Sequence, residues 1–309
     1  MGSAARIGTM ILALAAAAGC RDSTRPLPIS TTFDLLIEAR QSGGPPELLL
    51  LGAEGGAPAR LFPAGMEASD PVPSPNGSRI VYVVADYTQW IGDIWVADRD
   101  GGNATRLTTA PELDDQPTWS PDGQRIAFRS YRAGRDGDIW VMNADGSNPV
   151  NLTPDPLPGV TDESRPAWAP NGIEIAYAST AGGDRAIWVM KADGSGKVQR
   201  TFTEDLDTEP SWSPDGSEIA FRRSSPALGS DIWIVPRTGG TERRIARAGE
   251  QRQPAWSPDG TMIAFVEGPP GSSQSQVWTM RTDGSQPVRR TTSPAWTDAM
   301  NPVWLPRVP

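Results

Sequence analysis

Pro117-Thr118-Trp119-Ser120-Pro121-Asp122-Gly123, then Arg125-Ile126-Ala127-Phe128-Arg129, then Asp138-Ile139-Trp140-Val141-Met142 and Ala144-Asp145-Gly146-Ser147: the reading of this stretch decides the fold. Pro117-Thr118-Trp119 reads as a short innermost strand. Ser-Pro-Asp-Gly is a turn, because Pro presets φ, Asp accepts local backbone bonds and Gly tolerates positive φ. Arg125–Arg129 alternates apolar and polar residues, as a strand with two unlike faces does. Tyr131–Gly137 is a polar loop. Asp138–Met142 is a third strand, Asp145-Gly146 a strong hairpin signal, and Pro149–Thr153 a fourth, outer strand.

The same order recurs along the chain. Trp119, Trp168, Trp212, Trp256 and Trp304 mark the innermost slot, and Trp95, Trp140, Trp188, Trp233 and Trp278 the third-strand slot, with spacings of 44–49 residues. The repeat thus takes ten of the 12 tryptophans, so one structural unit explains most of the large aromatic content. The Ser-Pro-Asx-Gly turn returns at Ser74–Gly77, Ser213–Gly216 and Ser257–Gly260, and with Ala169 at Ala169–Gly172. The later hairpin returns at Asp100-Gly101, Asp193-Gly194, Thr238-Gly239 and Asp283-Gly284. Several short strands per repeat at this period predict a β-propeller.

The two ends complete the count. Phe33–Glu38, Glu47–Leu51 and Ala59–Phe62 align with strands two, three and four, joined by a hairpin at Glu54-Gly55, but no first strand precedes them. Asn301–Trp304 is a first strand with no second. The expectation is an all-β, six-bladed propeller of four-stranded antiparallel blades spanning 32–309, with one blade closed by N- and C-terminal strands. Such closure pairs strand edges that would otherwise template aggregation.

The tryptophans taken singly look like a cation cage or a sugar platform. Their repeat spacing favours packing of one blade on its neighbour, each ring burying roughly 150–250 Å². Asp98-Arg99-Asp100-Gly101 resembles part of a calcium loop, yet the further ligands and the Glu of an EF-hand do not follow. The Asp-Gly pairs read as hairpin turns.

Before the first strand, Ile7–Ala18 is apolar and follows Arg6. A stable membrane span needs roughly 20 residues, so this run fits the core of an export signal better. It ends at Ala17-Ala18-Gly19-Cys20, and Cys20 is the only cysteine of the 309 residues. This resembles the lipobox of bacterial lipoproteins, with Ala17 where that family favours Leu. The resemblance implies a signal peptide at 1–19, a lipidated Cys20, and a tether at 20–31. Arg21 after the cysteine resembles the sorting pattern for an outer-membrane destination facing the periplasm.

The repeats resemble the TolB-type propeller, a WD-like family of bacterial envelopes, through Trp-Ser-Pro-Asp-Gly, Ile-Ala-Phe, Asp-Ile-Trp-Val-Met and Ala-Asp-Gly-Ser. The resemblance covers roughly residues 32–306. It implies a propeller that binds other proteins. The short tether leaves no place for the extra α/β domain that precedes the propeller in TolB itself, so identity with TolB is not expected. The same repeats occur in propellers of prolyl-oligopeptidase-like peptidases, but no hydrolase domain is expected here.

Composition limits the chemistry. There is no histidine, which excludes a Ser-His-Asp triad and histidine-ligated metals. The net charge is −9, which argues against nucleic acid as a partner and permits a basic segment of a partner protein or a cation. The loops leading into each innermost strand are acidic: Glu67 and Asp70, Asp114 and Asp115, Asp162 and Glu163, Asp207 and Glu209, Glu250, and Asp298, offset in part by Arg165 and Arg252. These loops are the expected partner-binding site, for an envelope protein or a peptidoglycan-associated protein. The plainer alternative is solubilising charge, with Asp115 and its neighbours ion-paired to Arg165 or Arg252. Ca²⁺ is the one cofactor such carboxylates could recruit. The leading expectation is a lipid-anchored, non-catalytic scaffold of the periplasmic envelope. The alternative is a Ca-dependent hydrolase or lyase acting at an acidic channel mouth, and a third reading is a passive sensor or stalk.

Overall fold

The computed structural model describes residues 34–306, apart from 42–43, 53–57, 64–66, 87, 156–160, 246–248, 270–273 and 292–297. The segment 1–31, with Cys20, and the turn at Glu54-Gly55 lie outside the described residues. The described chain forms six four-stranded antiparallel sheets and no helix. Five blades are continuous in sequence. Their innermost strands are Ser69–Pro73, Asp114–Trp119, Glu163–Trp168, Leu206–Trp212 and Glu250–Trp256, for the first to fifth blades. The sixth blade joins the termini: Asp298–Trp304 pairs antiparallel with Leu35–Arg40, which is followed by Pro46–Leu51 and Ala59–Arg60.

The motifs explain the packing. In a strand, successive side chains point to opposite faces. Ile126 and Phe128 therefore face one way and Ala127 the other. Trp119, Ile126, Phe128 and Met142 pack on Val81, Ile94 and Val96 of the first blade. Ala127, Ile139 and Val141 receive Trp168, Ile175, Tyr177 and Met190 of the third. Each blade thus offers a bulky face to its predecessor and a smaller face to its successor. Both tryptophan slots follow this rule, so they pack on the preceding blade. Trp119, Trp212 and Trp304 also donate their indole N–H to the preceding blade, at Val72, Ala167 and Ala255 carbonyls, over 3.2, 3.0 and 2.9 Å. Arg79 stacks over Trp119 and Arg125 over Trp168, so the protein's own cations occupy these faces.

The conserved offsets of the turns have equally local causes. Asp122 accepts from the Ser120 hydroxyl and the Gln124 amide, which closes the turn between the first two strands. At the other hairpin Gly146 sits at φ +86°, and an added Cβ would lie 2.7 Å from the Leu107 carbonyl of the preceding blade. The Asp of Asp-Ile-Trp ties the third strand to the fourth: Asp93 pairs with Arg106, and Asp138 with Asn151.

Each innermost strand begins earlier than Pro-Thr-Trp would suggest and carries a bulge. The register shifts between Ser69/Val72, Asp115/Thr118, Ser164/Ala167, Thr208/Ser211 and Arg252/Ala255, and the sixth blade shifts at the same place. The residue at each bulge precedes a proline and has positive φ: Asp70, Gln116, Arg165, Glu209, Gln253 and Asn301, between 45° and 58°. Proline disfavours helical geometry in the residue before it, and non-glycine residues rarely adopt positive φ. Six such residues at one height therefore need compensation, which the channel supplies.

Candidate functional site

The six bulge residues stand in a ring around the channel, joined across blades by an open series of hydrogen bonds. Gln116 accepts the Arg165 backbone N–H (2.7 Å), Glu209 that of Gln253 (2.6 Å), and Gln253 that of Asn301 (2.8 Å). In each case a side-chain oxygen of one blade holds the same backbone position of the next. Arg165 has no acceptor and breaks the series towards Glu209, but its guanidinium reaches across to Asp70 at 3.1 Å. Asn301 donates to both Glu38 and Asp70, and the Asp70 amide also points to Glu38. Glu38 is buried, and burial pushes its carboxyl up, aided by the Asp70 charge. Strained backbone is thus held by cross-blade bonds.

The ring is the floor of a cavity of about 350 Å³. Its wall is made by the prolines that follow the bulge residues, by Val72, Thr118, Ala167 and Ser211, and by Trp168 and Trp212. Pro170 and Pro214 lie at its rim, so it opens on the face of the Ser-Pro-Asx-Gly turns.

Of the acidic residues expected to bind a partner, Asp70 and Glu209 belong to the channel ring, and the others lie at or just before the start of the innermost strands, towards the opposite face. Most are turned inward. Asp114 is buried and pairs with Arg132 at 2.6 Å. Asp115 accepts from Nε and Nη2 of Arg129, at 2.8 and 2.6 Å. Asp207 is held the same way by Arg223, at 2.7 and 2.7 Å, and Arg223 also reaches Glu242. Asp162 pairs with Arg185 and accepts the Gly137 amide. Burial raises Asp114, Asp115 and Asp207, and their arginine partners oppose that rise. The counter-ions are therefore second-strand and hairpin arginines in the main. Of the two cations anticipated, Arg165 serves Asp70.

Glu163 is different. It is buried, accepts from the Ser179 hydroxyl at 2.7 Å, and leaves Oε2 without a hydrogen bond. Burial pushes its carboxyl up to about 7, with Asp155 and Asp138 adding to the rise. Asp298 accepts from Ser275. Glu209 lies 3.9 Å from Arg222. Glu250 is half-buried and Glu67 exposed. Among the described residues no three of His, Cys, Asp and Glu come together as a set of metal ligands. Asp114, Asp115, Asp162 and Asp207 are thus each neutralised by an arginine of their own or a neighbouring strand or hairpin.

Among its exposed charged residues this face also carries large apolar side chains. Antiparallel topology places the loops into each innermost strand and the hairpins between second and third strands on the same face. Phe202 is 73% exposed, and Leu206 and Leu228 are exposed beside it on the fourth blade. Trp90 (61% exposed) and Ile91 stand on the first-blade hairpin, with the Trp90 ring 6.1 Å from Tyr131. Sequence reading passed over these residues because they fall outside the repeat. That irregularity was itself the available signal: Trp90 is a tryptophan in neither slot.

Comparison with known proteins agrees with the architecture. Residues 157–306 match the TolB beta propeller domain family. A Tol-Pal system protein TolB from Myxococcus xanthus is 46% identical over 63 residues, covering 20% of this chain and 14% of that protein. An uncharacterized peptidase, YuxL, from Bacillus subtilis is 28% identical over 121 residues, covering 38% of this chain and 18% of that one. The chain thus matches less than a fifth of the length of these relatives. The crystal structure of TolB from Acinetobacter baumannii superimposes with a TM-score of 0.76 at 20% identity, covering 89% of this chain and 67% of that one.

Proposed function

We propose that this TolB-like six-bladed propeller is a non-catalytic, protein-binding scaffold of the bacterial envelope, and that its partner docks on the loop face. The observation that carries this reading is the exposure of Phe202, Leu206, Leu228, Trp90 and Ile91 on that one face. Large apolar side chains kept in water beside polar surroundings mark protein contacts, and aromatic anchors dominate such contacts. The buried ion pairs beneath serve as the rigid base of the loops. The net charge of −9 steers a basic partner towards the protein, while the apolar residues supply the contact. Relatives named as parts of a Tol-Pal system support an envelope setting. Cys20 as a lipid anchor, with export to the outer membrane facing the periplasm, completes the proposal. An additional lipid chain fixes a protein at a membrane more firmly than one chain can.

The test uses the full-length exported chain and a triple Phe202→Ser, Leu206→Ser, Leu228→Ser variant, with Val150→Ser and Val198→Ser on outer strands as the control. Envelope crosslinking should yield one defined partner with the parent and the control, and at least about tenfold less with the triple variant. Equal yield from all three would sink the loop-face reading. Lipid labelling of the parent but not of Cys20→Ser tests the anchor separately.

A further inference from the structure

We infer that the channel cavity on the turn face is a binding site for a small neutral sugar. The charged residues of the floor each face an opposite charge: Asp70 pairs with Arg165 at 3.1 Å, and Glu209 has Arg222 3.9 Å away, behind the lining. A cation would meet Arg165 and an anion would meet Asp70 and Glu209, so neither has a net attraction. The floor nevertheless keeps unused hydrogen-bonding capacity. Arg165, 31% exposed, uses one of its guanidinium nitrogens on Asp70 and has no hydrogen bond from the others. Gln116 spends its oxygen on the Arg165 amide, which leaves its NH₂ group free to donate. Glu209 Oε1 accepts no hydrogen bond.

The floor therefore offers free donors at Gln116 and Arg165 beside a free acceptor at Glu209, with each charge answered by an opposite one. A ligand matches it when each of its groups can both donate and accept, as a hydroxyl does. The wall is made of proline rings, small side chains and the edges of Trp168 and Trp212, which suit the C–H faces of a pyranose. The volume of about 350 Å³ lies at the small end of the range for compact ligands, roughly 300–1,000 Å³. The six positive-φ residues that build the floor are strained, and strain of this kind concentrates where a geometry is maintained for use. The site lies on the face opposite Phe202 and Trp90, so it is independent of the partner surface proposed above.

The experiment is calorimetric titration of the parent protein with glucose, maltose and N-acetylglucosamine. Binding of at least one, with a dissociation constant of about 1 mM or tighter, is the expected result. Thr118→Phe, which fills the cavity, should weaken it at least about tenfold, and Gln116→Ala about fivefold, while Phe202→Ser leaves it unchanged. Thermal unfolding of each variant identifies any that fails to fold. No binding of any of the three sugars by the parent overturns the inference, as does binding that folded Thr118→Phe retains in full.

Discussion

The Asn301 amide donates to two carboxylates at once, Glu38 at 2.9 Å and Asp70 at 3.0 Å. Asn301 belongs to the C-terminal strand, Glu38 to the strand it closes against, and Asp70 to the first blade. One side chain therefore binds the seam of the ring on both sides. Burial, and after it the Asp70 charge, raises the Glu38 carboxyl, and the Asn301 bond opposes that rise. Asn301→Ala should cost about 2–4 kcal/mol in denaturant unfolding, since it leaves buried acceptors unpaired. Asn301→Asp should cost more, because it adds a third negative charge. A change within about 0.5 kcal/mol for Asn301→Ala would show that the seam holds without it.

Glu163 gives the stability a particular pH dependence. Its folded-state value, about 7, lies above the ordinary glutamate value of 4.5, so folding favours the protonated form. The contribution is full below about pH 4.5 and is lost as pH rises towards 7. Between pH 4.5 and 8 the parent should lose about 2–3 kcal/mol more stability than Glu163→Gln, which keeps the Ser179 contact and cannot ionise. Urea unfolding at both pH values measures the difference, and parallel pH profiles would contradict it.

Asp115 and Arg129 form a buried, two-bonded pair. Removing only the carboxylate leaves a guanidinium stranded, so Asp115→Ala should cost about 3–5 kcal/mol. Replacing both residues with leucine should recover most of that loss. If Asp115→Ala is silent in unfolding yet abolishes partner capture, the pair belongs to the binding surface instead.

The hairpin glycines separate backbone conformation from crowding. Gly146 and Gly229 both have positive φ, but only Gly146 has a neighbouring carbonyl where a Cβ would go. Gly146→Ala should therefore destabilise by about 1–2 kcal/mol more than Gly229→Ala, which meets nothing within 4 Å. Equal losses would mean that the conformation alone accounts for both.

The repeat made the architecture legible because one blade cannot bury its faces alone, and its residue sizes record the neighbour it needs. Ile126-Ala127-Phe128 carries that information in three positions, and Phe33–Glu38 with Asn301–Trp304 announced the split blade. The inner bulge escaped although its sign, a proline two residues before each tryptophan slot, recurs six times. Its meaning depends on a positive φ that proline normally opposes in the preceding residue, so local preference pointed the other way. The acidic residues read as loops lie mostly inside the innermost strands, which begin earlier than the Pro-Thr-Trp pattern suggests. Whether Asp114, Asp115 and Asp207 faced solvent depended on Arg132, Arg129 and Arg223 of adjacent strand positions, and alternation alone does not fix such pairings. The exposed residues Phe202 and Leu228 carry no periodic signal, and only their placement on a common face gives them weight.

The most direct test of the proposed scaffold is site-specific photocrosslinking in intact envelopes, with the probe placed in turn at Phe202, at Leu228, and at Ile173. Ile173 is exposed but lies on the turn face. A single shared adduct from Phe202 and Leu228, absent from Ile173, is the predicted result. An adduct from Ile173 with none from the other two would contradict it and move the partner to the opposite face.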